Sequence, residues 1–448
     1  MKNIYHPDMY KFDLSTNSYW KDTSNLNFNL GKLTKDINSE IVIIGGGYTG
    51  LSCAINLSIN YNLDVILVEA GSIGWGASSR NAGFCCIPPS KLSIDKMVKI
   101  YGREETKKFF KNSVEGSNYT RRIISEYDIE CDISGESNFE VAHHPTKFKE
   151  LRKTAEIYKN EFGIETNIYS KNDFENIGHS GAEQFGAFSY KPGFAINPLK
   201  LVNGMAKYAL GKKIKIFENT FVNKIEKNLD SYLLRTKEGF IKTKKIIVAT
   251  NGFYQEGLVP QLNNRILPVI SNIIVTRKLS EEEINLHNFK TFSPIVNSRN
   301  LLYYYRKLPD NRILFGARGD LKGSDKSNKE MSNKMEIKLK KIFPEWFNVS
   351  IDYKWRGFVA FSQKLSPSIG KINNEEIYYS FGYHANGVSS APWAGKQLSK
   401  LIFSSNSKKL NISKIYQGLP KKFILPGLRL FYLKIAIIFY TIKDKLNI

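Results

Sequence analysis

Residues 40–69, EIVIIGGGYTGLSCAINLSINYNLDVILVE, decide the fold of this chain. The segment opens with the apolar, β-branched run IVII at 41–44, which has the length and composition of a buried strand. Gly45, Gly47 and Gly50 follow in G-x-G-x-x-G spacing, and a helical pattern then leads to a second apolar run. This order predicts a strand–turn–helix–strand unit in a doubly wound α/β domain.

Each glycine of the motif has its own physical role. Gly45 lets the chain turn out of the strand, Gly47 lets a pyrophosphate approach the backbone, and Gly50 lets helix and strand pack closely. The free N–H groups at the start of the helix attract phosphate. Glu69 lies 19 residues past Gly50, where a carboxylate accepts hydrogen bonds from ribose hydroxyls and repels the 2′-phosphate of NADP. The unit predicts a dinucleotide site, with a structural glycine-rich turn as the alternative.

Composition narrows the classes of protein that fit this chain. A net charge of +23 is compatible with nucleic-acid or membrane binding, but the lysines are scattered, so no nucleic-acid partner is expected. The chain has four cysteines without C-x-x-C spacing: Cys53, Cys85, Cys86 and Cys131. This pattern argues against a disulfide framework, and no metal site is predicted. The N-terminal residues show no apolar segment typical of a signal peptide, so we expect a cytoplasmic location.

A second loop carries small residues around one arginine and one asparagine. It reads IGWGASSRNAG at 73–83, directly after the second apolar run. Small residues let the backbone approach a flat ligand, while Ser79 and Arg80 can meet phosphate oxygens. The loop is therefore predicted to face the dinucleotide, with a tight structural turn as the alternative.

Three separated motifs resemble the D-amino acid oxidase superfamily of FAD-dependent oxidoreductases. They are GGGYTGLSCAINL at 45–57, VEAGSIGWGASSRNAGF at 68–84 and FGYHANGVSSAPWAGKQLSKLI at 381–402. The resemblance is greatest to the branch that contains γ-glutamylputrescine oxidase and glycine and sarcosine oxidase-like enzymes. It runs from about Tyr19 to the C-terminus and is specific for superfamily and cofactor, not for substrate.

The resemblance implies a two-domain flavoprotein of the glutathione-reductase and D-amino acid oxidase type. Its FAD-binding domain is Rossmann-like α/β, and its substrate domain is α+β with a mixed sheet. The implied segments are an N-terminal arm at 1–37, the FAD-binding domain at 38–134, 191–255 and 352–415, the substrate domain at 135–190 and 256–351, and an amphipathic helical tail at 416–448.

The resemblance also implies the cofactor and its contacts. Relatives that bind flavin covalently use a cysteine just past the counterpart of Trp355, and this chain has no cysteine after Cys131, so non-covalent FAD is expected. The residues implied to bind FAD are Gly45, Gly47, Tyr48, Thr49, Gly50, Glu69, Ala70, Ser78, Ser79, Arg80, Asn81, Ala82, Gly83, Val222, Ala249, Thr250, Gly252, Gly382, Asn386, Gly387 and Val388.

The implied reaction is oxidation of a C–N bond in an amine or amino acid. A hydride passes from the α-carbon to flavin N5, and water hydrolyses the imine. The electron acceptor is O2 in one alternative and a quinone or other carrier in the second. A nucleic-acid-directed role and a non-catalytic flavin-binding subunit are the remaining alternatives.

Candidate catalytic residues come from one loop and one predicted hairpin. His384 is expected to accept a proton while working near its unperturbed pKa. Strands are predicted at 301–307 and 312–317, and alternation puts Tyr305 on the face opposite Arg306. Tyr305 is a further candidate, and Arg306 or Arg318 is a candidate ligand for a substrate carboxylate.

The tail from 420 to 448 has an apolar run too short to cross a bilayer. A helix packed on the body is expected. A basic helix lying peripherally on the inner membrane face is the alternative.

Overall fold

The structure is a computed structural model that describes residues 3–26, 28, 30–404 and 410–447. Its strands are β1 (Ile37–Ile44), β2 (Val65–Val68), β3 (Phe84–Cys85), β4 (Asn138–Val141), β5 (Thr166–Tyr169), β6 (Ala187–Tyr190), β7 (Phe194–Ala195), β8 (Lys215–Phe217), β9 (Lys224–Lys227), β10 (Tyr232–Arg235), β11 (Phe240–Val248), β12 (Leu267–Thr276), β13 (Ile295–Asn297), β14 (Tyr304–Lys307), β15 (Ile313–Arg318), β16 (Ile351–Phe361), β17 (Ser368–Lys371) and β18 (Ile377–Phe381).

Its α-helices are α1 (Tyr19–Asp22), α2 (Tyr48–Tyr61), α3 (Ala77–Arg80), α4 (Ile94–Tyr101), α5 (Arg103–Glu126), α6 (Pro145–Phe162), α7 (Lys171–Ile177), α8 (Pro198–Gly211), α9 (Glu281–Leu286), α10 (Asp325–Ile342), α11 (Gly387–Ser404) and α12 (Arg429–Leu446). Short 3-10 helices span Pro7–Tyr10, Asn251–Phe253, Pro344–Trp346, Lys414–Tyr416 and Pro426–Leu428.

The glycine motif lies in the first sheet, whose strand order is β17-β18-β11-β1-β2-β8. The central pairs from β18 to β8 are all parallel, while β17 joins the edge antiparallel. Strands β10 and β9 extend β11 as an antiparallel meander. The predicted Rossmann-like α/β architecture is confirmed.

Strand β1 is apolar on both faces because both faces of the sheet are covered. Ile41 and Ile43 pack into a core shared with helices α2 and α11, whereas Val42 and Ile44 pack into a second core on the other side. All four side chains are buried. A parallel strand enclosed in this way reads as a continuous apolar run, which is why the IVII pattern identified it.

The second sheet has the order β16-β12-β15-β14-β13-β4-β6-β5. This sheet is mixed, because β13 and β4 pair parallel whereas all other neighbouring strands of the sheet pair antiparallel. Helix α10 packs on one face through Met335, Leu339 and Ile342. The predicted mixed-sheet second domain is therefore present.

Two boundaries differ from the predictions. Strand β16 pairs with β12 along its whole length, so the second sheet extends past the predicted domain boundary at 351. Strand β14 begins at Tyr304 rather than at 301, because the N–H groups of Asn300 and Leu301 donate to the Asp444 carboxylate instead of to a strand. The other domain boundaries stay predictions.

The N-terminal arm packs across both sheets. Trp20 Nε1 donates to the carbonyl of Asn81 at 2.9 Å, and Trp75 Nε1 donates to the carbonyl of Leu14 at 2.8 Å. Phe12 packs against Trp75 with ring centroids 4.7 Å apart. The arm thereby fixes the 73–83 loop from outside.

Candidate functional site

A cavity of about 700 Å³ is lined by residues of both sheets. One part follows the turn after β1, the end of β2 and the 73–83 loop. The other part is bounded by the start of α11, by β4 and by the β14–β15 hairpin, and it carries several charged side chains. The cavity thus joins a glycine-rich end to a charged end.

The glycine turn packs so closely against neighbouring segments that it has no room for side chains. Gly45 has φ of +115°, and a Cβ there would lie 2.8 Å from the carbonyl oxygen of Ala249. A Cβ on Gly47 would lie 2.7 Å from Ser78 Oγ, which accepts a hydrogen bond from the N–H of Tyr48 at 3.1 Å, and Gly47 itself has no side chain to cap helix α2. The N-terminus of α2 therefore presents backbone N–H groups to the cavity, which fits the pyrophosphate of FAD.

Glu69 occupies the end of β2, as the ribose role requires. Its Oε2 accepts from the N–H of Gly46 at 2.7 Å, and its Oε1 accepts from the N–H of Gly71 at 3.1 Å. Burial raises the pKa of Glu69, and these backbone donors oppose that rise. The carboxylate is thus oriented at the cavity wall beside the phosphate cradle, which fits an adenosine ribose.

The 73–83 loop is held in place by its own polar side chains. Arg80 is buried, donates from Nε to the carbonyl of Trp75 at 2.7 Å and lies 3.9 Å over the Trp75 ring. Asn81 donates to the carbonyl of Ala77 at 2.9 Å and accepts from the N–H of Gly83 at 2.7 Å. Burial lowers the pKa of Arg80 to about 10. The loop is a rigid wall that carries a guanidinium.

Most of the residues predicted to bind FAD line this one cavity. Those that do are Gly45, Gly47, Tyr48, Thr49, Glu69, Ala70, Ser78, Arg80, Asn81, Ala82, Val222, Ala249, Thr250, Asn386, Gly387 and Val388. Those that do not are Gly50, Ser79, Gly83, Gly252 and Gly382. Gly50 instead packs under the turn, where a Cβ would lie 2.0 Å from the carbonyl oxygen of Gly45. The contacts with FAD themselves stay predictions.

His384 lines the cavity, but its pKa differs from the expected one. It is fully buried, and its ring meets Phe361 edge-on at 5.1 Å. Burial, with the positive charges of nearby Lys91 and Arg318, lowers the His384 pKa to about 3. The expectation that it works near its unperturbed pKa is therefore wrong, because a fully buried imidazole stays neutral at physiological pH.

Tyr305 and Arg306 lie away from the cavity, so their predicted place at the substrate is corrected. Tyr305 points into the core under α10, and its hydroxyl is 2.9 Å from His179 Nε2. Arg306 shares the opposite face with Tyr304 but donates from Nη2 to the carbonyl of Ile196 at 2.7 Å. Both side chains serve packing between segments.

Tyr304 and Arg318 occupy the cavity wall instead. The Tyr304 hydroxyl lies 2.8 Å from Ser271 Oγ, and burial raises the Tyr304 pKa to about 12. Arg318 ends β15, with its guanidinium 5.5 Å over the ring of Phe361, and its Nε has no hydrogen-bond partner within the described ranges. Burial lowers the Arg318 pKa while Tyr304 opposes that change. Arg318 therefore brings a guanidinium to the cavity wall.

Glu140 and Lys91 are two charged cavity residues that the sequence reasoning missed. Burial raises the pKa of Glu140 to about 7, and Lys91 counteracts that rise. Enclosure among protein atoms and the charge of Arg318 lower the pKa of Lys91 to about 8, although the Lys91 side chain keeps exposed surface. The sequence did carry a signal for Glu140, because it is the single charged residue in strand β4 and the other three residues of that strand are buried.

Comparisons with known proteins agree with this geometry. The family model described as FAD dependent oxidoreductase (DAO) matches residues 40–401. The gamma-glutamylputrescine oxidoreductase of Escherichia coli is 28% identical over 437 residues, which cover 97% of this chain and 99% of that protein. The glycine oxidase of Bacillus subtilis is 23% identical over 383 residues, covering 82% of this chain and 93% of that protein.

Solved structures share the fold. The glycine oxidase of Geobacillus kaustophilus superposes with a TM-score of 0.70 at 16% identity, covering 86% of this chain and 99% of that one. The L-proline dehydrogenase of P. horikoshii gives a TM-score of 0.65 at 21% identity, covering 85% and 96%.

Proposed function

Because this chain belongs to the DAO family of FAD-dependent oxidoreductases, we propose that it oxidises a C–N bond of an amine or amino acid. Relatives aligned over most of the chain are named for such compounds, gamma-glutamylputrescine and glycine. The substrate would lose a hydride from the carbon next to nitrogen and a proton from the nitrogen. Water would then hydrolyse the C=N bond to a carbonyl and a free amine or ammonia.

The glycine-rich end of the cavity would hold FAD without a covalent bond. Gly45, Gly47 and the first N–H groups of α2 would bind the pyrophosphate, and Glu69 would bind the ribose hydroxyls. FAD, when bound, supplies the hydride acceptor. The protein's contribution is to orient the substrate at the charged end and to keep that end dry.

The position of Arg318 on the cavity wall is the observation that supports a substrate with a carboxylate. A guanidinium on the cavity wall that pairs with no carboxylate among the described residues suits a two-pronged contact with a substrate carboxylate. The Tyr304 hydroxyl lies on the adjacent strand and can add a hydrogen bond to the same group. An amino acid, or an amine that carries a carboxylate, is therefore the favoured substrate class.

Glu140 supplies the opposite charge for the substrate's nitrogen. It faces the same cavity from β4, and its raised pKa lets it alternate between carboxylate and carboxyl near neutral pH. As the carboxylate it would attract a substrate ammonium and could take up its proton. Because burial keeps His384 neutral, its ring adds no further positive charge beside that ammonium.

An anaerobic absorbance titration tests this function. We expect the purified protein to carry acid-releasable FAD, and we expect its flavin band to bleach when an amino acid or carboxylate-bearing amine is added without oxygen. A panel of D-, L- and N-methyl amino acids and simple amines names the class. Flavin that no C–N compound bleaches, but that dithionite reduces, would overturn the proposal.

The pH dependence of kcat/KM should report Glu140. Its pKa in the folded protein, about 7, lies above the ordinary value of a glutamate, so the carboxylate forms only as the pH rises through about 7. We expect kcat/KM to rise through that range and Glu140→Gln to remove this inflection while leaving any inflection from the substrate amine. An unchanged profile in the variant would exclude the role of Glu140.

The electron acceptor has two candidates. Peroxide release on admission of air would identify O2, whereas slow reoxidation by air with fast reduction of a quinone would identify a dehydrogenase. The second candidate is favoured by the apolar surface of α12, which suits contact with a membrane that holds such a carrier. The cytoplasmic location stays a prediction from the sequence.

A further inference from the structure

Helix α12 lies along the body of the protein. Its inner face packs through Leu430, Leu433 and Ile437 onto β12. At its start, Arg429 Nη1 lies 2.7 Å from the carboxylate of Glu256. At its end, Asp444 accepts hydrogen bonds from the N–H groups that precede β14. The position of the helix is therefore set at both ends and along one face.

The opposite face of α12 is apolar and exposed. Phe431, Ile435, Ile438 and Ile442 follow one another at spacings of four, three and four, so they form one stripe along the helix. Each is 50% to 55% exposed. Neighbouring exposed apolar residues widen the stripe into a patch: Ile424, Leu425, Leu428, Phe439 and Leu446. A contiguous exposed apolar patch of this kind marks an interaction surface.

The charges around the patch select the partner. Between positions 420 and 447 the chain carries six basic residues and one acidic residue: Lys421, Lys422, Arg429, Lys434, Lys443, Lys445 and Asp444. Asp444 is engaged with the N–H groups before β14, and Arg429 is buried and paired with Glu256, so the five lysines set the charge around the patch. Two copies joined through this face would bring like charges together, whereas anionic headgroups complement them.

We propose that the outer face of α12 docks on the surface of an anionic lipid bilayer. No helix in the described part of the chain is long and apolar enough to cross a membrane, so α12 would lie in the interface with its apolar stripe among the acyl chains. The lysines beside the stripe would contact the headgroups. This docking concerns a surface separate from the substrate cavity and does not depend on which substrate is oxidised.

Docking on α12 would also orient the cavity. Asp444 binds the N–H groups of Asn300 and Leu301. Their neighbours Arg299 and Leu302 line the cavity wall. The end of the docked helix is therefore next to one edge of the substrate cavity, which brings that edge close to the bilayer.

Co-sedimentation of the full, FAD-loaded chain with vesicles tests the proposal. We expect binding to phosphatidylcholine vesicles that contain phosphatidylserine, weak binding to pure phosphatidylcholine and loss of binding at high salt. The double variant Ile435→Asp, Ile438→Asp should lower the bound fraction roughly tenfold or more, because two charges would enter the apolar layer. Ile337→Asp on α10, where Ile337 is 66% exposed, is the matched control and should bind like the parent.

Three results would overturn the inference. One is equal sedimentation of the parent and the double variant. Another is binding that Ile337→Asp reduces as strongly. In the last, the parent binds no vesicles but forms a dimer in light scattering, and the double variant is a monomer. That result would assign the patch to contact with a second copy of the chain. An unchanged flavin spectrum in each variant shows that the fold is intact.

Discussion

We expect Gly50→Ala to yield a protein that does not retain FAD. The new Cβ would lie 2.0 Å from the carbonyl oxygen of Gly45 and 3.2 Å from the side chain of Ile43. A backbone oxygen at that distance cannot rotate away, so helix α2 must separate from β1. Overpacking of this kind costs about 1–3 kcal/mol or more. The movement would also withdraw the N–H groups of α2 from the pyrophosphate.

The measurement is the flavin absorbance per protein after purification, together with the thermal midpoint with and without added FAD. Gly211→Ala is the matched control, since a Cβ at the end of α8 would meet no atom of the described residues within 4 Å. That substitution should stabilise the protein slightly, by up to ~1 kcal/mol, because alanine favours a helix. A Gly50→Ala protein with full flavin content and an unchanged midpoint would show that the close approach is not needed.

The second large effect is expected for Arg318→Met. Methionine keeps much of the side-chain volume but removes the guanidinium that we assign to the substrate carboxylate. Truncating one partner of a buried charged pair costs about 2–5 kcal/mol, so kcat/KM for an amino acid substrate should fall roughly a hundredfold or more. The corresponding amine without a carboxylate should lose little, because it never makes this contact.

The ratio of the two kcat/KM values is therefore the decisive measurement. Arg306→Met provides the matched control, because Arg306 is a buried arginine on the adjacent strand that donates to Ile196 rather than lining the cavity. It should lower the thermal midpoint and leave the ratio unchanged. If Arg318→Met lowers both rates equally, its role is structural and the carboxylate must be bound elsewhere.

The dinucleotide end of the molecule could be predicted because its determinants are local. Gly45, Gly47 and Gly50 set a turn between a strand and the helix that immediately follows, and Glu69 ends the next strand. The apolar run at 41–44 identified a strand covered on both faces. Each of these features depends on chain neighbours, so spacing along the sequence carried enough information.

The substrate end could be predicted only in part. Alternation correctly separated Tyr305 from Arg306, but it could not say which face of the sheet meets the cavity or how far along the strand the cavity extends. The pairing of β14 with β15 places Tyr304 opposite Gly316, and a Cβ on Gly316 would overlap the tyrosine ring. That glycine makes room for Tyr304 at the wall, and only the strand register reveals it.

The sequence by itself determined the strand–turn–helix unit, the acidic residue at its end and, through three motifs, the family and its cofactor. The tertiary structure decided which charges share the cavity, because Lys91, Glu140 and Arg318 come from segments far apart in the chain. It also decided that His384 is neutral, since desolvation depends on everything packed around the ring. Local order follows from short-range sterics, whereas a site assembled across two sheets and the protonation of its groups follow from long-range packing.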